Sequence, residues 1–577
     1  MNGHRVATNG DIRLEATPGQ WQPVPKQLDR KLGDNSITAT LCYPDSSRHL
    51  TGFNPMIYPD LHLIYTVNVE SKGKNIEVTV DLDRPIPQEF IGKVGFNLEF
   101  FPGSLFGKPW IMDGQSGIFP QQPNSPLMTT QPNYLHTGNY HDGKQSLADM
   151  DKLIGKGYSP IVADDIISEP YAKGRKFTSR PDDPYNKVTI ESLSGDLQLF
   201  DGRMNHNNGW FVLRSNIKPG VTKGAVKWII TPNVVADWMY QPVIQTSQIG
   251  YHPAQDKEAV IEMDIRDNRK ETAQIIRIDA DGEKVVKNVT PANWGKFLRY
   301  NYLKVDFTDV KEPGLYKIKY DTSVSPIFRI DNDVYARGVW QPVLEYFLPV
   351  QMCHMRVNEK YRVWHDCCHM DDAQMAPAHN HIDGYDQKEG LSKFKPGEVV
   401  PGVNIGGWHD AGDFDLRIES QAGESYILAL AYEAFHPNLD VTSIDQINRV
   451  TEIHQPDGKN DLLQQVENGA LTVVNGYLAL GRLYRGIICN DLRQYVLLGD
   501  AAAMTDGKIG NEDDRWIFTE DNPGRELSTA AQLAAVSRVL KGFNDTLSVH
   551  CLDIAAKYML LPETATTEPC SPKCRQP

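Results

Sequence analysis

Residues 334–353 read VYARGVWQPVLEYFLPVQMC, and they divide the chain. Before them, apolar residues fall in short alternating runs bounded by Gly, Pro and Asn; from here on they recur at three- and four-residue spacing. Three later stretches keep that spacing: QAGESYILALAYEAF (421–435), NDLLQQVENGALTVVNGYLALGRLY (460–484) and ELSTAAQLAAVSRVLKGF (526–543). In the last of these, Leu533, Val536, Ser537 and Leu540 line one face with alanines between them, the pattern of closely packed helices. Residues 333–577 are therefore expected to form an all-α unit.

Upstream the rhythm is that of strands. Residues 241–332 open with VIQTSQIGYHP (243–253) and close with VDFTDVKEPGLYKIKYDTSVSPIFRI (305–330), the size and spacing of an immunoglobulin-like β-sandwich. Residues 1–240 carry LHLIYTVNV, NIEVTVDL, GWFVLRS and AVKWIITP, and form an all-β domain of unknown role. Its Trp110, Trp210, Trp228 and Trp238 could stack on sugars, but tryptophan is mostly buried, which favours core packing.

The 577 residues exceed what one core supports, so several domains are expected. A net charge of −15 with no basic stripe argues against a nucleic-acid partner, and no apolar run approaches the length of a membrane span. A neutral polymer such as a polysaccharide suits this balance better. The start, MNGHRVATNGDIRLEATPGQW, lacks the basic-then-apolar order of a secretory signal; the protein either stays inside the cell or this chain begins after its signal. Eight cysteines are too few for a disulfide scaffold, and Cys353, Cys367 and Cys368 crowd together, which suggests a metal or chance.

The stretch with most chemistry is GGWHDAGDFD, residues 406–415. It sets Asp410 and Asp413 three apart behind Trp408 and His409. Two close carboxylates repel, which raises the pKa of one while donors hold the other ionised, so acid and base roles separate. The same pair would also suit a calcium ligand set or a helix cap.

GGWHDAGDFD resembles the GGWxDAGD motif of glycoside hydrolase family 9, the inverting β-glucanases built on a six-hairpin (α/α)6 barrel. QTSQIGYHP and EPGLYKIKY resemble the immunoglobulin-like module that precedes many members, CHMDDA a CHxDDA-type segment, and WIFTEDNPGRELSTAAQLAAVS the PGSDLAxExAAALAxAS helix. Together these cover about residues 243–550, and the resemblance makes 333–577 a partial (α/α)6 barrel. It implies hydrolysis of β-1,4-glucosidic bonds in cellulose-like or mixed-linkage glucans, with Asp413 as general base and Asp410 helping to hold the attacking water. An exo-acting cellodextrin hydrolase and a catalytically incomplete glucan-binding fragment are the alternatives. Trp408 would shape a glucosyl subsite, with Trp516 and Tyr426 weaker candidates.

The family's general acid is a glutamate near the end of the barrel, and the tail PETATTEPCSPKCRQP carries neither helical period nor family motif, so that acid is not expected in this chain. Glu512, Glu520 and Glu526 lie too early and read as surface or helix-start charges. The resemblance further implies a structural zinc held by Cys353, Cys368, His369 and His409, with Cys367 a lesser substitute for Cys368. Calcium is common in the family; the loop HNHIDGYDQKEG, with Asp383 and Asp386, lacks a full calcium-loop pattern and leaves the calcium ligands unassigned. Family members are usually extracellular or periplasmic.

Overall fold

The computed structural model describes residues 1, 5–14, 24–47, 60–123, 127–128, 167–204, 209–377, 385–410, 414–489, 505–510 and 513–559. Asp413, Asp383 and Glu512 therefore lie outside the described residues.

The first β region consists of a five-stranded and a nine-stranded antiparallel sheet that share one core. Alternation does the sorting: Val188–Ser192 and Leu197–Asp201 each bury every second residue, as a strand with one face on a core must. Trp110 and Trp228 are buried in that core, while Trp210 and Trp238 are half-buried.

Next comes a sandwich of two small antiparallel sheets. One holds Val243–Gln245, Glu258–Asp264, Tyr300–Asp306 and Ala292–Phe297; the other is centred on Ala273–Asp279 and Gly314–Tyr320. Ile261, Met263, Ile275, Val305 and Ile318 fill the space between them. Gly250, in the QTSQIGYHP stretch, has φ +100°, and a Cβ there would lie 2.3 Å from the Arg329 carbonyl oxygen. Only glycine allows that approach, which lets Tyr251 pair with Ile330 and close the sandwich at its end.

The last region contains, among the described residues, the helices Gln341–Gln351, Ile418–Phe435, Asp461–Leu480, Pro523–Leu540 and Asp545–Met559. Their ends follow local chemistry. Asn460 and Asn522 cap two N-termini by accepting from Leu462 N at 3.1 Å and Arg525 N at 3.1 Å, and Gly481 ends the third helix at φ 78°. Leu533, Val536, Ser537 and Leu540 are all buried, facing a core that also takes Val466, Val473, Cys551 and Ile554.

The helical period did not foretell two four-stranded sheets woven between these helices. One joins Arg356–Glu359, Arg362–His365, Val450–Ile453 and Thr442–Asp445; the other joins Gln374–Met375, Arg515–Phe518, Gly486–Cys489 and Leu416–Arg417. Strands of two to four residues are too short to show a period. The architecture is thus an immunoglobulin-like domain followed by a helical part with inserted short strands. No helix among the described residues is long and apolar enough to cross a membrane.

Candidate functional site

The stretch 406–410 is pressed against the helix Asp461–Leu480. Gly406 (φ +65°) and Gly407 (φ +86°) occupy left-handed conformations, and a Cβ on them would lie 2.2 Å from the Asn468 carbonyl oxygen and 2.7 Å from Thr472 Oγ1. Gly407 N donates to Asn468 O at 3.0 Å, and Gly407 O accepts from Cys353 N at 3.0 Å. The doubled glycine is thus a packing requirement.

Trp408 lies at the centre of this contact, and its placement corrects the expectation of a sugar-facing ring. It is 2% exposed, packed with Leu348, Met352 and Ile444, and Gly469 exists where it does because a Cβ would meet the indole at 2.4 Å. Its backbone is clamped by Gln421, whose Oε1 accepts from Trp408 N at 2.9 Å and whose Nε2 donates to Trp408 O at 2.7 Å. A ring enclosed in this way supports the loop from beneath. Trp516 and Tyr426 are half-buried, Trp516 against the helical core.

Asp410 emerges from that base. Its carboxylate pairs with Arg417 at 3.0 Å and accepts from Ser420 Oγ at 3.3 Å, and its side chain keeps 25% exposure. Its backbone N–H donates to Asp415 O at 2.8 Å, while the buried Asp415 carboxylate accepts from Cys489 N at 3.0 Å. One turn beyond Ser420, burial and then the charge of Asp410 push Glu424 up to about 7. Glu520 pairs with Arg525, and Glu526 sits in the first turn of its helix paired with Arg482 at 3.0 Å.

Directly behind Asp410, the structure brings Cys353, Cys368, His369 and His409 together, all buried, with one ligand atom from each within 4.8 Å of the others. Cys353 Sγ lies 3.8 Å from Cys368 Sγ and 3.8 Å from His369 Nδ1, and Cys368 Sγ lies 3.6 Å from His409 Nε2. A tetrahedron whose centre is about 2.3 Å from sulfur and about 2.0–2.1 Å from nitrogen has edges of about 3.3–3.8 Å. The donor set thus fits a four-coordinate cation. Its protonation suits one in part, since the Cys353 hydrogen bond and burial raise the Cys368 thiol well above the ordinary thiol range. Burial pushes His369 down to about 4 and lowers His409, so both imidazoles are neutral. Burial alone would raise the Cys353 thiol, but the Cys368 hydrogen bond and the Arg515 cation outweigh it and hold it well below the ordinary thiol range. Cys367 turns its sulfur to Arg449 O at 3.8 Å, outside the group.

A second buried network locks this group to the loop, and the sequence reading missed it. Arg515 donates to Asp372 Oδ1 at 3.0 Å, to Cys353 Sγ at 3.2 Å and to Phe414 O. His354 bridges Asp372 Oδ2 at 2.7 Å and Gly406 O at 2.8 Å, and Cys353 and Asp372 push it up to about 9 against its burial, so it is protonated and donates both bonds. One signal was available: the tripeptide Cys-His-Met occurs twice, at 353–355 and 368–370. Both cysteines join the cluster, but only the second histidine does. Of the calcium candidates, Asp386 is exposed.

Comparison with known proteins follows from these features. The model of the cellulase N-terminal ig-like domain matches residues 239–325. Endoglucanase D of Acetivibrio thermocellus is 22% identical over 326 residues, covering 56% of this chain and 46% of that protein, so the chain spans about half the length of the curated relative. A thermostable endoglucanase single mutant from Alicyclobacillus acidocaldarius has 19% identity and a TM-score of 0.38 over 55% of this chain and 51% of its own. A Zn-binding triple mutant of the glycoside hydrolase family 9 endoglucanase J30 has 21% identity and a TM-score of 0.39 over 53% of this chain and 52% of its own. The 239–325 region thus matches a cellulase immunoglobulin-like domain, and the stretches GGWHDAGDFD, CHMDDA and PGRELSTAAQ that follow it resemble those of glycoside hydrolase family 9.

Proposed function

We propose that the protein hydrolyses β-1,4-glucosidic bonds of cellulose-like or mixed-linkage glucans with inversion, acting within the chain and outside the cytoplasm. The observation that carries this reading is Asp410, oriented by Arg417 and Ser420 at a partly exposed rim while the loop beneath it is anchored. Asp413, three residues on, is the general base. It takes a proton from a water that Asp410 also holds, and that water attacks the anomeric carbon from the face opposite the leaving oxygen. An inverting pair needs carboxyl groups about 6.5–9.5 Å apart, so the proton donor to the leaving oxygen is a residue other than Asp410. Similarity to an endoglucanase supports the endo mode and a β-glucan substrate. Product profiles on soluble mixed-linkage glucan test it. A spread of oligosaccharides released early supports endo action, and a single short product from the outset sinks it.

The Cys353, Cys368, His369 and His409 group holds a structural Zn²⁺ in this reading, supported by its edge lengths and neutral imidazoles. When bound, the ion cross-links three segments and pins His409 beside Asp410. Elemental analysis should find one zinc per chain in the parent and none in Cys368→Ser, with a lower melting temperature. A parent without zinc, or a variant of unchanged stability, would remove the metal from the account.

A further inference from the structure

One outer face of the immunoglobulin-like sandwich is aromatic where water should make it polar. In the strand Glu258–Asp264 the residues Ala259, Ile261 and Met263 enter the core, and in Tyr300–Asp306 Leu303 and Val305 do, so Glu262, Tyr300 and Tyr302 stand on the opposite face. A solvated sheet face ordinarily carries polar side chains. Here five rings follow one another: Trp238 to Tyr240 at 6.3 Å between centroids, Tyr240 to Tyr300 at 5.1 Å, Tyr300 to Tyr302 at 6.1 Å, and Tyr302 to Trp294 at 5.7 Å. Trp294 is 58% exposed, as is, at 57%, Phe297, the cross-strand partner of Tyr300; the other four rings of the row are half-buried.

The row is held in place by polar contacts. The Tyr240 hydroxyl donates to Glu262 Oε1 at 2.8 Å and the Tyr302 hydroxyl to Glu262 Oε2 at 3.1 Å. Burial and that carboxylate push both tyrosines up, so they stay protonated donors. Arg266, paired with Asp264 at 2.8 Å, donates to Trp238 O at 2.6 Å, and Tyr240 N donates to Asp264 Oδ2 at 3.1 Å. The segment carrying the first two rings is thereby tied to the sheet. Rings fixed in this way lose little freedom when a ligand stacks on them. A carboxylate offers about four acceptor sites, so Glu262 keeps room for ligand hydroxyls beside the two tyrosines. The cation on the same face, Lys304, is paired with Glu258 at 2.7 Å. A polyanion would meet the Glu262 carboxylate in the middle of the row, whereas a neutral ligand would not be repelled.

We propose that this face of the immunoglobulin-like sandwich binds a single β-glucan chain along the row from Trp238 to Trp294. The choice of occupant rests on the glucanase reading above. The hydroxyls of a β-linked glucosyl ring are equatorial, so its two faces are C–H surfaces that stack on aromatic rings while its edges hydrogen-bond, here to Glu262. Shape favours a chain over a protein partner, because the rings run in single file and a stable protein interface needs a broad patch of about 800 Å² on each side. Successive ring planes are turned by 60°, 59°, 63° and 90°. The row therefore offers no flat platform to crystalline cellulose and fits a chain that is free to twist. A second hold on the polymer, outside the helical part, keeps it at high effective concentration near the 406–410 loop.

The test is affinity electrophoresis through gels containing soluble mixed-linkage β-glucan. The full-length chain carries Asp413→Ala so that the polymer stays intact, and is run alone and combined with Trp294→Ala, Tyr300→Ala or, as a control outside the sandwich, Tyr361→Ala, whose ring is 97% exposed. Retention should weaken about tenfold in Trp294→Ala and Tyr300→Ala, the loss expected when an aromatic anchor is truncated, and stay unchanged in Tyr361→Ala. Microcrystalline cellulose should retain none of them. Trp294 lies outside the core, so its variant keeps the test valid should Tyr300→Ala fail to fold. Equal retention of folded Trp294→Ala, or no retention of the parent, would overturn the site. Fluoride release from β-cellobiosyl fluoride by the chain with Asp413 intact would then leave the glucanase reading standing without it. Self-association that Trp294→Ala abolishes, with no glucan retention, would give the row to a second copy of the chain. Binding to microcrystalline cellulose as strong as to soluble glucan would overturn the single-chain assignment.

Discussion

Glu424 shows how the environment of one side chain becomes a measurable property. Its carboxyl is pushed up to about 7, first by burial and then by the Asp410 charge, from an ordinary value near 4.5. A carboxyl whose folded pKa lies above its unfolded one binds its proton more tightly in the native state. Stability is therefore complete below about pH 4.5 and falls as pH rises through about 7. Glu424→Gln removes that loss. The variant should match the parent at pH 4 and exceed it at pH 8 by about 2 kcal/mol, allowing for the partial exposure of the group. Urea denaturation at the two pH values measures this, and equal gains at both would show that the carboxyl is not strained. At this scale much of the site was legible. Cys353, Cys368, His369 and His409 were named from the chain, and the structure brings them together. His354, Asp372 and Arg515 were not named, because a buried ion network is defined by partners as far as 161 residues apart. Trp408 was misread because its neighbours in sequence suggested substrate, whereas its neighbours in space are Leu348, Met352 and Gly469.

Among elements, the decisive contact is between the 406–410 stretch and the helix Asp461–Leu480. Gly406→Ala should lower stability by about 2–4 kcal/mol, since it adds left-handed strain to a backbone clash, with the new Cβ only 2.2 Å from the Asn468 carbonyl oxygen, that neither partner can relieve by a rotamer change. Thermal unfolding measures the loss, and a change below 0.5 kcal/mol would mean that the loop yields freely. The long helices were legible because Asp461–Leu480 and Pro523–Leu540 repeat their apolar residues over five turns. The short strands among them were not. Arg356–Glu359 pairs in parallel with Val450–Ile453 across some ninety residues, and no local pattern specifies such a partner.

For the molecule as a whole, the helical part leaves large apolar side chains in solvent. Val343, Tyr346 and Val350 stand out from the helix Gln341–Gln351, and Phe435, Val549, Leu552 and Met559 from other helices. Contiguous apolar surface drives association, so sedimentation velocity should reveal species larger than a monomer whose fraction rises with concentration. A single monomeric species at every concentration would mean that these faces are not sticky. The change from strands to helices near residue 333 was legible from the change of period there. The sheet orders of the first region were not, since strand pairing is set by the packed core as a whole.

The central claim is that Asp413 activates a water for inverting attack, and it can be isolated from the proton donor by using a substrate whose leaving group needs no protonation. The measurement is hydrolysis of β-cellobiosyl fluoride followed by nuclear magnetic resonance, for the parent and for Asp413→Ala at equal zinc content. The expected result is fluoride release with the α-anomer of cellobiose appearing first, and a rate at least about a hundredfold lower in the variant. First appearance of the β-anomer, or equal rates in two folded proteins, would contradict the assignment of Asp413 as the inverting base.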